Sequence, residues 1–455
     1  MLTATQKRFL TDLFPGDACV LTPEETCAFG ADSSRIFAQP WAVVRPETLD
    51  QTRSLLKWAH EERVPLFPRS RGTNVVGDCT PKGGGVVVSA LRMNRIVEVS
   101  GDDFVAVAQP GVVTADLQRA CEAKGLFYPP DPASVRISTI GGNVSTNAGG
   151  MRAVKYGVTR DYVLGLEAVL PGGEVIRTGG RTHKNVVGLD LTRLFVGAEG
   201  TLGFITEVTL KLLPRPEASA SVLAGFAALE AALDAARDVF RAGILPVAME
   251  FMADEVLRAL AKVTDAPWPQ GTQAVLLLKL DGSGETLPLE LKRLETALAP
   301  SSPSFMARGM GADEEALWEV RRLINPASFR VAPDKMSDDV TVPRGRVAEA
   351  VARIRDAGRE AGLTVLVFGH LGDGNLHVNI MHDAAGGEGE RARTLKETVL
   401  GIVLDVGGTM SGEHGVGLTK RPYIDRQIGG RELEIMRQVK AVFDPHGILN
   451  PGKAY

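Results

Sequence analysis

His370, His377 and His414, three of the seven histidines, stand with Glu413 in two segments otherwise built from glycine and small residues, FGHLGDGNLHVNI (368–380) and SGEHGVG (411–417). Imidazoles plus one carboxylate are the usual ligands of a catalytic divalent ion that keeps an open position, and a further histidine is the commonest general base near neutral pH. The residue types therefore point to a metal site among these four residues with a base beside it. Two histidines and a carboxylate suit Zn²⁺, Mn²⁺ or Fe²⁺, with Zn²⁺ the first choice. Asp373, between two glycines, reads as a turn former rather than a ligand.

These residues need a frame, and 455 residues exceed one core, so two to three domains are expected. The formal charge of −4 excludes a nucleic-acid or membrane-surface polycation. Four cysteines, Cys19, Cys27, Cys79 and Cys121, lie far apart without a CxxC pair and read as reduced thiols of a cytoplasmic protein. The N-terminal stretch lacks the apolar run of a signal peptide, and no window is apolar enough to span a bilayer. The expectation is a soluble cytoplasmic protein, with peripheral membrane association only through a partner.

Along the chain, WAVVRP (41–46) reads as a strand and 49–64 as a helix burying Leu55, Leu56 and Ala59. Residues 65–78 read as loop, 85–111 as three short β-runs, and 113–125 as a helix capped by Thr114 and stopped by Gly125. The segment 129–150 is nearly free of charge and rich in Gly, Ser, Thr and Asn, which leaves main-chain donors open to a phosphate. It matches neither GxGxxG nor GxxxxGK[ST]. Pro214 and Pro216 mark a domain boundary. Beyond them, helices at 228–243 and 346–362 and a strand at 274–280 suggest a second α+β domain, and helices at 389–407 and 431–447 complete the chain.

The assembled motifs resemble the vanillyl-alcohol-oxidase-type (PCMH-type) flavoproteins, in the D-2-hydroxy-acid dehydrogenase branch that holds D-lactate dehydrogenases, the glycolate oxidase flavin subunit and D-2-hydroxyglutarate dehydrogenase. The carriers are PRSRGTN (68–74), PDPASVRISTIGGNVSTNAGG (130–150), KYGVTRDYV (155–163), GLDLTRLFVGAEGTLGFIT (188–206), GHLGDGNLH (369–377), SGEHGVG and NPGK (450–453). The resemblance implies an α+β fold: a two-subdomain FAD-binding domain at 1–216, an α+β cap or substrate domain at 217–415, and a helical C-terminal segment at 416–455 that returns to the FAD domain.

It also implies site residues. Arg71, Gly72, Thr73 and Asn74 would line the FAD pyrophosphate with Gly141, Gly142, Asn143 and Ser145. Pro130, Asp131, Thr139, Ala148, Gly200 and Ile205 would lie near the adenine, ribose or flavin. With no histidine between His60 and His183, the FAD is expected to be non-covalent. Arg321 and Lys335 would clamp a substrate carboxylate, His370, His377 and Glu413 would be the metal ligands, and His414 would be the base; Asn379, two residues past His377 on the same strand face, would touch substrate. The implied reaction is oxidation of a D-2-hydroxy acid to the keto acid, with electrons passed to a quinone, cytochrome or iron–sulfur partner. The alternatives are an inactive flavin-bearing electron-carrier subunit and a metal hydrolase. A homodimer is compatible with the sequence, and no nucleic-acid partner is expected.

Overall fold

Four short strands form the first sheet, in the order Cys19–Val20, Ala42–Val44, Val86–Ser89, Leu66–Arg69, with the first pairing antiparallel and the other two parallel. The crossover between Ala42–Val44 and Leu66–Arg69 runs through the helix Leu49–Glu62, started by Thr48, whose side chain accepts from Gln51 N, and ended by Arg63 in the left-handed region. Leu55, Leu56 and Ala59 are fully buried, as their spacing predicts. The expectation of loop over 65–78 is corrected for Leu66–Arg69. Apolar Leu66 and Phe67 pair with Val86 and Val87, and Pro68 is tolerated because the strand ends the sheet order. In the helix Thr114–Glu122 the cap position belongs to Val113. Thr114 is the first helical residue and turns its hydroxyl to Ser138 O at 3.1 Å.

The computed structural model describes residues 1–265 and 267–455 and falls into two units: Met1–Gly149 with Val158–Arg215 and Glu413–Tyr455, and Gly150–Gly157 with Pro216–Gly412. The first unit also holds an antiparallel five-stranded sheet, ordered Ile96–Ser100, Val105–Ala108, Phe204–Lys211, Val163–Val169, Val175–Gly179. Ile205, Val208 and Leu210 are all buried although their spacing breaks strict alternation, because the pairing shifts register between Ile205 and Glu207. The C-terminal segment joins this unit through main-chain bonds from Leu66 N to Ile448 O and from Asn450 N to Leu66 O, each 2.8 Å.

The second unit is one antiparallel sheet of seven strands, ordered Phe305–Gly309, Ala218–Phe226, Ala274–Gly282, Ala248–Ala253, Thr364–His370, Asn375–His382, Asp334–Thr341. Residues 150–157 belong here because Asp281 receives Lys155 Nζ and, at 2.8 Å, Tyr156 OH. Helices Leu229–Arg241, Val347–Glu360 and Gly389–Asp405 match the periodic segments of the sequence. Leu277, fully buried among Leu223, Met252, Trp318 and Leu366, is one centre of the core. Leu277→Ala is expected to lower unfolding free energy by about 2–5 kcal/mol, read by denaturant titration. The fold is α+β in both units. Among the described residues no helix is long and apolar enough to cross a membrane.

Candidate active site

Four neighbouring strands of the second unit carry its candidate site residues apart from Arg321. Register sets Glu250 opposite His370, Phe368 opposite His377, and Lys335 opposite Met381. The turn from His370 to Asn375 closes by Gly374 N to His370 O at 3.1 Å, and Asp373 accepts from Asn375 N at 3.1 Å, the turn-forming role read from sequence. Gly374 has φ +86°, and a Cβ there would collide with the Val342 carbonyl. This turn brings His370 Nε2 within 3.3 Å of His377 Nε2. Two nitrogens bound at about 2.0–2.1 Å to one tetrahedral ion are about 3.3–3.4 Å apart, so the pair has the spacing of two ligands.

Behind His370 stands Glu250, which has no exposed surface and was not singled out from sequence. Its Oε1 lies 2.5 Å from His370 Nδ1, and its Oε2 accepts from Arg321 Nε at 2.7 Å. Burial alone would raise this carboxyl, but its contacts with His370 and Arg321 outweigh that and hold it below the usual carboxylate range. Glu250 is the single charge in the apolar run PVAMEFMA (246–253), and that isolation is the signal that could have found it. Arg321 ends the helix Ala312–Arg322 and lies 4.8 Å over the Phe368 ring. Lys335 Nζ reaches Asn325 Oδ1 at 2.5 Å. Asn379, two residues past His377 on the same strand, shares its face and is buried.

In the first unit, a cleft of about 260 Å³ is lined by Arg71, Gly72, Thr73 and Asn74, by Thr139, Gly141, Gly142, Asn143, Ser145 and Ala148, and by Gly200, Ile205, Glu413 and His414. Pro130 and Asp131 fall just outside this lining, which begins at Pro132 in that stretch. Among the described residues, the backbone N–H groups of Ser70, Arg71, Gly72 and Thr73 donate to no protein acceptor. A row of main-chain donors beside glycine at φ +66° is a concavity suited to an anion. Around the helix Ile140–Thr146 the amides are engaged instead: Ile140 N with Val112 O, Gly141 N with Pro110 O and Asn143 N with Thr139 O, all 2.9 Å. Those residues shape the wall, and the Ser70–Thr73 loop holds the open donors. Arg69 is turned away toward Cys79 Sγ at 3.1 Å, which leaves Arg71 as the exposed guanidinium of the loop.

Asn74 does a second job: its Nδ2 donates to His414 O at 2.9 Å. Glu199, a buried residue at φ +51°, takes the amides of Val416 at 2.6 Å and Gly417 at 3.0 Å. The main chain from the His414 carbonyl to Gly417 is thus held by the Asn74 and Glu199 side chains. Asp78 also lines the cleft, and among the described residues its buried Oδ1 has no hydrogen-bond partner. Burial pushes both carboxyls up; the two amides and Lys453 oppose the rise at Glu199, whereas the Glu199 charge adds to it at Asp78. Neither carboxylate belongs to a periodic pattern, so neither stands out in the sequence. The four cysteines are free thiols, and burial pushes that of Cys79 up to about 12.

Residues 40–179 match the family described as FAD binding domain, and residues 215–454 match FAD linked oxidases, C-terminal domain. The glycolate oxidase subunit GlcD of Bacillus subtilis is 42% identical over 92% of this chain and 89% of its own. The chain belongs to the FAD-linked oxidases. This FAD-linked oxidase is also 37% identical to a D-lactate dehydrogenase of Anaerostipes hadrus, over 91% of this chain and 90% of the relative. It is 35% identical to a D-2-hydroxyglutarate dehydrogenase of Stutzerimonas stutzeri, over 96% of both. These relatives place it in the branch that its motifs resemble. Among solved structures, p-cresol methylhydroxylase superposes with TM-score 0.81 at 17% identity, over 98% of this chain and 96% of that one, which supports the PCMH-type fold alone. The protein is an FAD-linked oxidoreductase.

Proposed function

We propose that this oxidase converts a D-2-hydroxy acid of the lactate, glycolate or 2-hydroxyglutarate class to its keto acid, using non-covalent FAD and a divalent metal. The observation that carries the reading is the His370–His377 pair, spaced 3.3 Å at Nε2 with a carboxylate behind it, in a chain whose relatives are named for such acids. The Ser70–Thr73 amides and Arg71 fit the FAD pyrophosphate, with Thr139, Gly141, Gly142, Asn143, Ser145, Ala148, Gly200 and Ile205 shaping the walls and Pro130 and Asp131 toward the adenine end. His370, His377 and Glu413 are the ligands proposed for the metal, Zn²⁺ first.

When bound, FAD supplies the acceptor for the hydride equivalent, and the metal supplies a Lewis acid for substrate oxygens. The chain's own groups do the rest. Arg321, with its Nε side held by Glu250, presents its terminal nitrogens to the substrate carboxylate, and Lys335 adds a point charge. Asn379 donates to a substrate oxygen from the His377 face. His414 accepts the hydroxyl proton on its imidazole as the α-hydrogen leaves. Electrons then pass to a quinone or protein acceptor, which accords with the relative named as a subunit. Work at a cytoplasmic membrane face through that acceptor is part of the same reading.

The test is anaerobic mixing of the yellow protein with D-lactate, glycolate, D-2-hydroxyglutarate or D-malate. Bleaching of the flavin band by at least one acid, lost after chelation and restored by Zn²⁺, Mn²⁺ or Fe²⁺, is the expected result. No bleaching by any of the four removes the substrate class. Bleaching indifferent to complete metal removal removes the metal.

A further inference from the structure

Glu250 touches neither metal nor substrate in the roles assigned so far, yet it is a fully buried charge beside the histidine pair, flanked by fully buried Met249 and Phe251. Taking a carboxylate out of water is costly unless both oxygens find strong partners, and here each finds one. Oε1 meets His370 Nδ1 at 2.5 Å and Oε2 meets Arg321 Nε at 2.7 Å. The two contacts come from different directions. His370 is fixed across the ladder by strand register, whereas Arg321 arrives from the end of a helix.

A carboxylate can only accept, so the hydrogen between Glu250 and His370 sits on Nδ1. A neutral imidazole with its hydrogen on Nδ1 has its lone pair on Nε2, the atom that faces His377 Nε2 at 3.3 Å. We propose that Glu250 is a positioning residue that sets the tautomer and aim of His370 as a metal ligand and, through its other oxygen, the aim of Arg321 toward the substrate carboxylate. One buried anion thereby ties the metal ligand to the substrate clamp. Carboxylates behind ligating histidines raise ligand basicity, and their loss typically weakens metal binding about 10–100-fold. The inference rests on the metal reading given above.

The test compares FAD-loaded wild type with Glu250→Gln, Glu250→Ala and Arg321→Met. Zn²⁺ affinity is read by competition with a fluorescent zinc chelator, alongside bound flavin, thermal midpoint, and kcat and KM for the acid that bleaches the wild type. Glu250→Gln keeps the volume and an acceptor for Nδ1–H but loses the charge. It is expected to weaken Zn²⁺ about 10-fold and Glu250→Ala nearer 100-fold, both with raised KM and unchanged flavin content. Arg321→Met is expected to raise KM and leave Zn²⁺ affinity at the wild-type value. If Glu250→Ala does not fold, the Gln variant carries the comparison. Wild-type Zn²⁺ affinity in Glu250→Gln, with or without a lowered thermal midpoint, overturns the proposal and leaves the metal reading standing. A wild type that takes up no Zn²⁺, Mn²⁺ or Fe²⁺ overturns both.

Discussion

His414→Ala is expected to slow turnover about 10²–10⁴-fold while the protein stays yellow and folded. The separation is possible because the loop around His414 is held by main chain. Asn74 Nδ2 donates to the His414 carbonyl, and Glu199 takes the amides of Val416 and Gly417. Alanine keeps all of these groups and removes only the imidazole. Flavin absorbance of the purified variant should therefore equal that of the wild type, and reduction of an artificial dye acceptor by the preferred acid should collapse. Turnover equal to wild type would remove His414 as base.

Glu199→Ala is expected to have the largest effect on stability, about 3–5 kcal/mol. Three losses coincide at this residue. Two main-chain amides lose their acceptor. The buried Lys453, whose ammonium is already disfavoured by burial, loses an attracting charge. The gripping of the His414 loop is lost as well. For a domain of this size each kcal/mol is worth roughly 2–4 °C, so a fall of roughly 10 °C should appear in a thermal scan followed by release of flavin fluorescence. Glu199→Gln retains acceptor capacity and should fall by less than half as much. A Glu199→Ala midpoint within roughly 2 °C of wild type, a shift worth about 1 kcal/mol or less, would show that the loop is held by other means.

Local chemistry was legible in the sequence wherever cause and effect lie within a few residues. The Gly-Asp-Gly turn between His370 and His377 is written in consecutive residues, and turn geometry alone brings the two rings together. The helices at 49–62 and 347–360 are likewise carried by apolar spacing. Family membership needed only motifs in order. Errors came where a local signal was overridden: Pro68 hid a strand, because an edge position excuses its missing N–H, and Thr114 lost the cap to its neighbour.

What the tertiary structure decided are the groups joined across long separations. Glu250 meets His370 over 120 residues, and Glu199 meets Val416 over 217. No periodicity encodes such a meeting, because it depends on strand order in a sheet and on which loops return to one cleft. The same holds for the phosphate donors. Composition marked 129–150 and the family resemblance added 68–74, but the hydrogen bonds of the folded chain consume the amides of Ile140, Gly141 and Asn143 and leave those of Ser70–Thr73 open. Residue type determines what a group can do; only the closing of the backbone's own hydrogen bonds determines which groups remain to do it.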